Sequence, residues 1–485
     1  MTEEIPLAEL VPAPSPPGRP LIAWLVIVSL VALTITAQRG PGKAIDPAAV
    51  DDLQRSILEI QGKYLVAAAQ TPAMQKSELY QSVQSLDTGP LVQRLAFVVL
   101  AGELRGFDEA LRQLAATRKF LAQSGAAVSQ SHQRTLGVLE HLYRDFSASK
   151  WNAPSVPLAD RQHLVSELGW FGSLALAPDG VRAAAGGQAA RSQVVSAAWK
   201  TFIVVLTASI VFLCVGAAGL AGAAMFIAYA LSGRLVRRGG ARYGNSGLYI
   251  ETFAVWMVLL TALSLAAIFM PQARDHRLFY SGAASLLSLA AIGWPLLRGL
   301  SWASVRRDIG WYLPGPAWRE VLWGVVCYAS SLPIIACGFA MTLLLLQMQH
   351  AITGAPGGFD SPSAPAHPVI EWVSKGGMAD RFAVVLLACV IAPLVEESVF
   401  RGALYRYLRD TTGKWRTGAG IAFSAFTNSL IFAVIHPQGL FAAPVLMSIA
   451  VGFSLAREWR GSLLTPMTMH AINNGVMLIM LFSLI

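Results

Sequence analysis

RFAVVLLACVIAPLVEESVFRGAL, residues 381–404, is the stretch on which the fold turns. It is apolar over a length that crosses the hydrocarbon core of a bilayer as a helix, for which about 20 residues suffice. Near its end stand Glu396, Glu397 and Arg401. A charge at mid-bilayer costs roughly 2.5–3.5 kcal/mol or more, so such a residue faces a cavity or a partner. Glu397 and Arg401 are four apart with the acid first, the favourable order for an ion pair on one helix face. Glu396 points about 100° away from Glu397 and is left for another role. Pro393, one turn earlier, predicts a kink that frees backbone groups to line a cavity.

Other apolar runs occupy about 21–37, 201–232, 249–270, 279–297, 319–347, 417–436, 440–456 and 462–483. Together they predict an all-α, polytopic membrane protein of about nine transmembrane helices. Only helices and closed barrels satisfy their backbone in lipid. Arg234, Arg237, Arg238 and Arg242 follow the second span, and Arg298, Arg306 and Arg307 the fourth. Arg401, Arg406, Arg409, Lys414 and Arg416 follow the sixth, and Arg457 and Arg460 the eighth. Every basic cluster thus follows an even-numbered span. One orientation satisfies all four: N-terminus cytoplasmic, the segment after the first span outside, C-terminus outside.

The composition agrees. Of 485 residues, 54% are apolar and 13% charged, about half the charged share of a soluble domain. The net charge of +9 comes from basic residues in short loops. It reflects membrane topology and predicts no nucleic-acid partner. Cys214, Cys327, Cys337 and Cys389 lie inside apolar runs without CxxC spacing, as small packing residues do.

Residues 1–20 hold six prolines and three glutamates and read as a disordered tail. The run 21–37 is expected to be an uncleaved signal anchor. The rival, a cleaved signal peptide, needs a basic leader, and Arg19 is the one cation before it. Residues 38–199 carry regular charge and apolar residues at helical spacing, as in LVQRLAFVVLAGELRGFDEALRQLAATRKFL (91–121). They predict an α-helical extracytoplasmic domain with nothing catalytic in it. Residues 200–485 form the multi-pass domain. The segment 348–380 is rich in Gly, Pro and Ser and reads as an external mobile loop, with His350 and His367 as surface residues.

Two further polar groups interrupt the late spans: Phe432-Ala-Val-Ile-His436 and His470-Ala-Ile-Asn473-Asn474. Phe432 and His436, like His470 and Asn474, are four apart and share a helix face. These residue types suit peptide hydrolysis. A carboxylate withdrawn from water is a stronger base for activating it. A nearby histidine can hold the water, and a histidine with an asparagine can donate hydrogen bonds to an oxyanion. Asn428, two turns before His436, is placed to approach the cavity, and Asn473 reads as structural. Taken singly, each group also fits a plain role as an ion pair or interhelical bond.

The ordered set EExxxR, FxxxH and HxxxN on late spans resembles the CAAX protease and bacteriocin-processing family of intramembrane glutamic endopeptidases. The resemblance covers about 380–485. It implies Glu396 as catalytic glutamate, His436 as its partner at the water, and His470 and Asn474 as oxyanion stabilisers. Glu397, Arg401 and Phe432 become supporting residues. It implies no cofactor, and a protein or peptide substrate associated with the bilayer. Eukaryotic relatives often carry Asn four residues after the second-motif histidine. Here that position is Leu440, and Pro437 follows the histidine directly, so prenyl specificity is not carried over. Two alternatives stand beside it. Glu396, His436 and His470 could bind zinc in a metallopeptidase, although HExxH spacing is absent. A non-enzymatic membrane adaptor or immunity protein would use the outer domain for binding.

Overall fold

The computed structural model describes residues 18–39, 47–72, 74–124, 128–148, 155–179, 187–234, 246–270, 277–353 and 376–484. The tail before residue 18 and most of the 348–380 loop, His367 included, lie outside the described residues, as does the side chain of His350. All described elements are helical. The chain divides into two compact units. One takes in residues 50–213, the other residues 1–49 and 214–483.

The 50–213 unit begins with α2 (Pro47–Ala68), α3 (Lys76–Ser82), α4 (Leu91–Arg105) and α5 (Phe107–Ser124). It continues with α6 (Gln130–Ser147), α7 (Leu158–Leu168), α8 (Trp170–Leu176) and the first part of α9 (Gly187–Leu231). The run 91–121 is broken at Gly106, whose φ of 98° is open to glycine at little cost. That break folds α4 and α5 into a hairpin. α4 is buried from Arg94 to Leu104 and forms the centre of the unit. Leu139, Leu142, Leu164 and Leu174 pack with it in one core. Buried Glu103 takes two hydrogen bonds from Arg191, at 2.5 and 3.0 Å, tying α9 to α4.

The other unit holds α1 (Pro20–Arg39), the rest of α9, α10 (Ser246–Ile268), α11 (Arg277–Ser288), α12 (Trp294–Leu297) and α13 (Trp302–Ile309). It closes with α14 (Ala317–Thr353), α15 (Met378–Thr411), α16 (Thr417–Ile435), α17 (Ala443–Arg460) and α18 (Leu464–Leu484). Among the described residues, eight helices are long and apolar enough to cross a membrane. They coincide with the first eight expected spans. The ninth forms a helix as well, α18, but it lies outside those eight. Its first half carries His470, Asn473 and Asn474, and its unbroken apolar run begins only after them.

Lipid-type packing holds this unit together. Gly324 of α14 lies so close to α18 that a Cβ there would sit 2.5 Å from the Thr468 side chain. Small residues allow such approach where no hydrophobic effect drives helices together. Ala23 and Ile27 bury α1 against Ile250 and Phe253 of α10. The charges gather at one set of helix ends. The Arg19 backbone N–H and Arg298 Nη1 donate to Glu251, each at 2.5 Å, and the Tyr249 hydroxyl donates to Asp308 at 2.7 Å. Arg409 grips Glu458 through two hydrogen bonds at 2.9 and 3.1 Å, and Arg460 pairs with Glu320. The start of α1 therefore shares a face with residues that follow the fourth, sixth and eighth spans.

Candidate active site

Helix α15 is not a uniform α-helix. Two wider π segments, Leu387–Ile391 and Ser398–Leu404, flank the α-helical Ala392–Glu397. Such insertions recur at functional sites because they turn side chains out of the regular register. Thr411 closes α15 fifteen residues after Glu396, about 22 Å at 1.5 Å per residue. Met378 opens it about 27 Å before. Glu396 therefore stands near the middle of its span.

The adjacent glutamates divide as their 100° offset requires. Glu397 is fully buried, and its Oε1 accepts from Arg401 Nη1 at 3.1 Å. The same oxygen accepts from His470 Nδ1 at 2.9 Å, reaching across to α18. Arg401, also fully buried, donates from Nη2 to the Ala450 carbonyl of α17 at 3.1 Å. Its guanidinium lies 4.8 Å from the Phe432 ring and 5.2 Å from Phe453, where aromatic faces stabilise a cation.

Glu396 points the other way. Its Oε2 lies 3.8 Å from His436 Nε2 and 3.9 Å from His470 Nε2. That oxygen is buried, and among the described residues no group is within hydrogen-bonding distance of it. A quarter of the Glu396 side chain is nonetheless uncovered by protein. The fold therefore brings Glu396, His436 and His470 to one point, from α15, the end of α16, and α18.

Each imidazole is anchored at its other nitrogen. The α16 helix ends because Pro437 disfavours helical backbone in the residue before it, and His436 is accordingly extended, with ψ 144°. The His436 backbone N–H then turns to the Ala433 carbonyl, which leaves the Phe432 carbonyl without its usual i+4 donor. The ring supplies one: His436 Nδ1 lies 2.5 Å from that oxygen. Nδ1 thus carries a hydrogen, and Nε2 faces Glu396. Pro437, a departure in the second motif, is what sets this histidine's orientation. On His470 the Glu397 carboxylate plays the anchoring part, and the Phe453 ring stacks on the imidazole at 5.3 Å.

The remaining expected residues sit differently. Phe432 is buried, with its ring 4.1 Å from that of His436. Asn474 is hydrogen-bonded at both ends of its carboxamide. Its Nδ2 donates to the Ala388 carbonyl at 2.8 Å, and its Oδ1 accepts from Asn473 at 3.2 Å. Asn428 lies one step out. It donates to Ser454 at 3.2 Å, which donates to the same Ala450 carbonyl that Arg401 uses. Ala450, Phe453 and Ser454 are not legible as site residues, because only their contacts with Arg401, Asn428 and His470 on other helices bring them in. Cys214, Cys327, Cys337 and Cys389 are all unpaired thiols. Among the described residues, no group of three or more His, Cys, Asp or Glu is arranged to hold a metal ion.

Residues 379–476 match the family model described as type II CAAX prenyl endopeptidase Rce1-like. Over 95 residues the chain is 35% identical to the membrane-embedded CAAX protease MroQ of Staphylococcus aureus (strain USA300). That alignment takes in 20% of this chain and 38% of the relative, so the chain spans well under half of the protein it matches. No solved structure matches. The C-terminal region, which contains Glu396, His436, His470 and Asn474, is the part of the chain that is similar to CAAX-type membrane proteases.

Proposed function

We propose that this protein is a membrane-embedded endopeptidase in which Glu396 activates water for attack on a peptide bond. One observation carries the proposal. A carboxylate oxygen with no hydrogen-bond partner among the described residues faces the Nε2 atoms of two histidines, each held at its Nδ1. Glu396 takes one proton from water while His436 Nε2 accepts a hydrogen bond from the O–H that the water keeps. The resulting hydroxide adds to the substrate carbonyl. His470 donates from Nδ1 to Glu397, so it must carry both ring protons to donate from Nε2 to the oxyanion. Arg401 balances Glu397, which keeps that carboxylate available as the anchor. Collapse of the intermediate expels the amine, and Glu396 returns its proton to it.

The substrate class is a peptide or protein that reaches the site from within or beside the bilayer. Cells carrying Glu396→Gln should accumulate uncleaved membrane proteins that wild-type cells process. Indistinguishable proteomes would favour the adaptor. No metal has a role in this mechanism, so EDTA and 1,10-phenanthroline should leave cleavage unchanged. A loss reversed by zinc would replace it with metal-assisted hydrolysis.

The positively charged helix ends belong on the cytoplasmic side under the positive-inside rule, with the start of α1 beside them. The 38–199 region then lies outside the cytoplasm as a separate helical domain. A single cysteine placed at Ser155, in a background without native cysteines, should react with an impermeant maleimide on intact cells. Labelling only after lysis would invert the topology.

A further inference from the structure

Pro393 sits at the second position of the Ala392–Glu397 segment, and its missing N–H has a definite consequence. In the preceding π segment the Ala392 N–H donates to the Leu387 carbonyl, five residues back. In that register the next carbonyl, of Ala388, falls to residue 393. Residue 393 is proline and cannot donate. A carbonyl without a donor inside an apolar span is expensive. The donor comes from another helix: Asn474 Nδ2 lies 2.8 Å from the Ala388 oxygen. The other end of the carboxamide is fixed too, because Asn473 donates to Asn474 Oδ1, and Tyr328 of α14 donates to Asn473 at 3.4 Å.

We infer that Asn474 is a positioning residue whose carboxamide replaces the backbone donor that Pro393 removes, holding the π register that aims Glu396 at the two histidines. His470, one turn earlier on α18, is bound to Glu397 at the far end of the same α15 segment. Two hydrogen bonds from α18 therefore bracket Glu396: Asn474 to Ala388 before it, His470 to Glu397 after it. The pattern repeats that of the neighbouring helix, where Pro437 frees the Phe432 carbonyl and His436 takes it. At both places a proline creates an unpaired carbonyl and a side chain at the site fills it.

The consequence for catalysis rests on the hydrolytic role proposed above; the backbone claim does not. The test compares four proteins in lipid nanodiscs: wild type, Asn474→Leu, Pro393→Ala, and the two combined. Pro393→Ala restores an N–H at 393, so the Ala388 carbonyl no longer needs Asn474. In wild type, Asn474→Leu should speed hydrogen exchange of the α15 peptide containing Ala392 roughly tenfold, the expected scale for stranding one buried carbonyl. In the Pro393→Ala background the same change should have little effect. Equal acceleration in both backgrounds, or none in either, overturns the inference.

Turnover of a membrane protein that accumulates uncleaved in Glu396→Gln cells gives the second readout. Asn474→Leu should lower kcat with KM unchanged, and the loss should shrink when Pro393 is alanine. An equal kcat loss in both backgrounds would place Asn474 at the reacting atoms instead. A wild type that cleaves nothing would count against the protease proposal, and the exchange comparison would still decide this one.

Discussion

Arg401→Met is expected to destabilise the protein by about 3–5 kcal/mol, read as a large fall in melting temperature in detergent. The arginine is fully covered by protein, and so is Glu397, its partner at 3.1 Å. Removing the cation leaves a fully buried carboxylate with only His470 as its remaining partner. It also leaves the Ala450 carbonyl without Arg401 and empties a space lined by Phe432 and Phe453. Glu397→Gln should be destabilising for the mirrored reason, since the guanidinium then loses its counter-charge. The combined Glu397→Gln, Arg401→Met protein should recover a substantial part of the loss, because breaking a buried pair costs more than replacing it. That recovery should not extend to cleavage, because the double variant lacks the carboxylate that anchors His470 at Nδ1. Melting and activity measured on the three variants separate the two roles. Strictly additive losses in melting would mean that the two side chains are not coupled.

Much of this architecture could be read from the sequence because lipid leaves so few choices. A long apolar run has to be a helix, and a helix fixes which residues share a face. The relation of Glu397 to Arg401 follows from spacing alone, as does the turning of Glu396 away from both. What spacing cannot reach is the pairing between distant spans. That Glu397 serves His470 as well as Arg401 depends on α18 packing beside α15, 73 positions away. Phe453, stacked on His470, looks in sequence like any apolar residue of a span.

Asn474 is the instructive case. Its spacing from His470 put both on one face, which suggested a shared oxyanion role, whereas the structure commits its amide to a backbone carbonyl. The clue was present in Pro393, but its weight depended on the π register of the preceding turn. In a plain α-helix the unpaired carbonyl would belong to Cys389 instead. Pro437 carries a similar lesson. As a departure from the eukaryotic motif it pointed to altered local geometry, and it proves to be why the His436 ring binds its own helix end.

Glu396→Gln is expected to fold and insert as wild type does while losing roughly 10²–10⁴-fold in kcat, the usual contribution of a positioned general base. That loss corresponds to about 3–5 kcal/mol of transition-state stabilisation. Folding should be spared because the Glu396 Oε2 makes no hydrogen bond and the side chain is partly uncovered, whereas Glu397 is fully buried and bonded through Oε1 to Arg401 and His470. An amide of the same shape keeps the packing and loses the base. The most direct measurement pairs the two proteins. Wild type and Glu396→Gln, purified and reconstituted in nanodiscs, are assayed on a membrane protein that accumulates uncleaved in Glu396→Gln cells, with melting temperatures taken on the same samples. The expected result is cleavage by wild type, at least a hundredfold less by the variant, and equal melting temperatures. Cleavage by the variant at the wild-type rate would contradict the assignment of Glu396 as the residue that activates water.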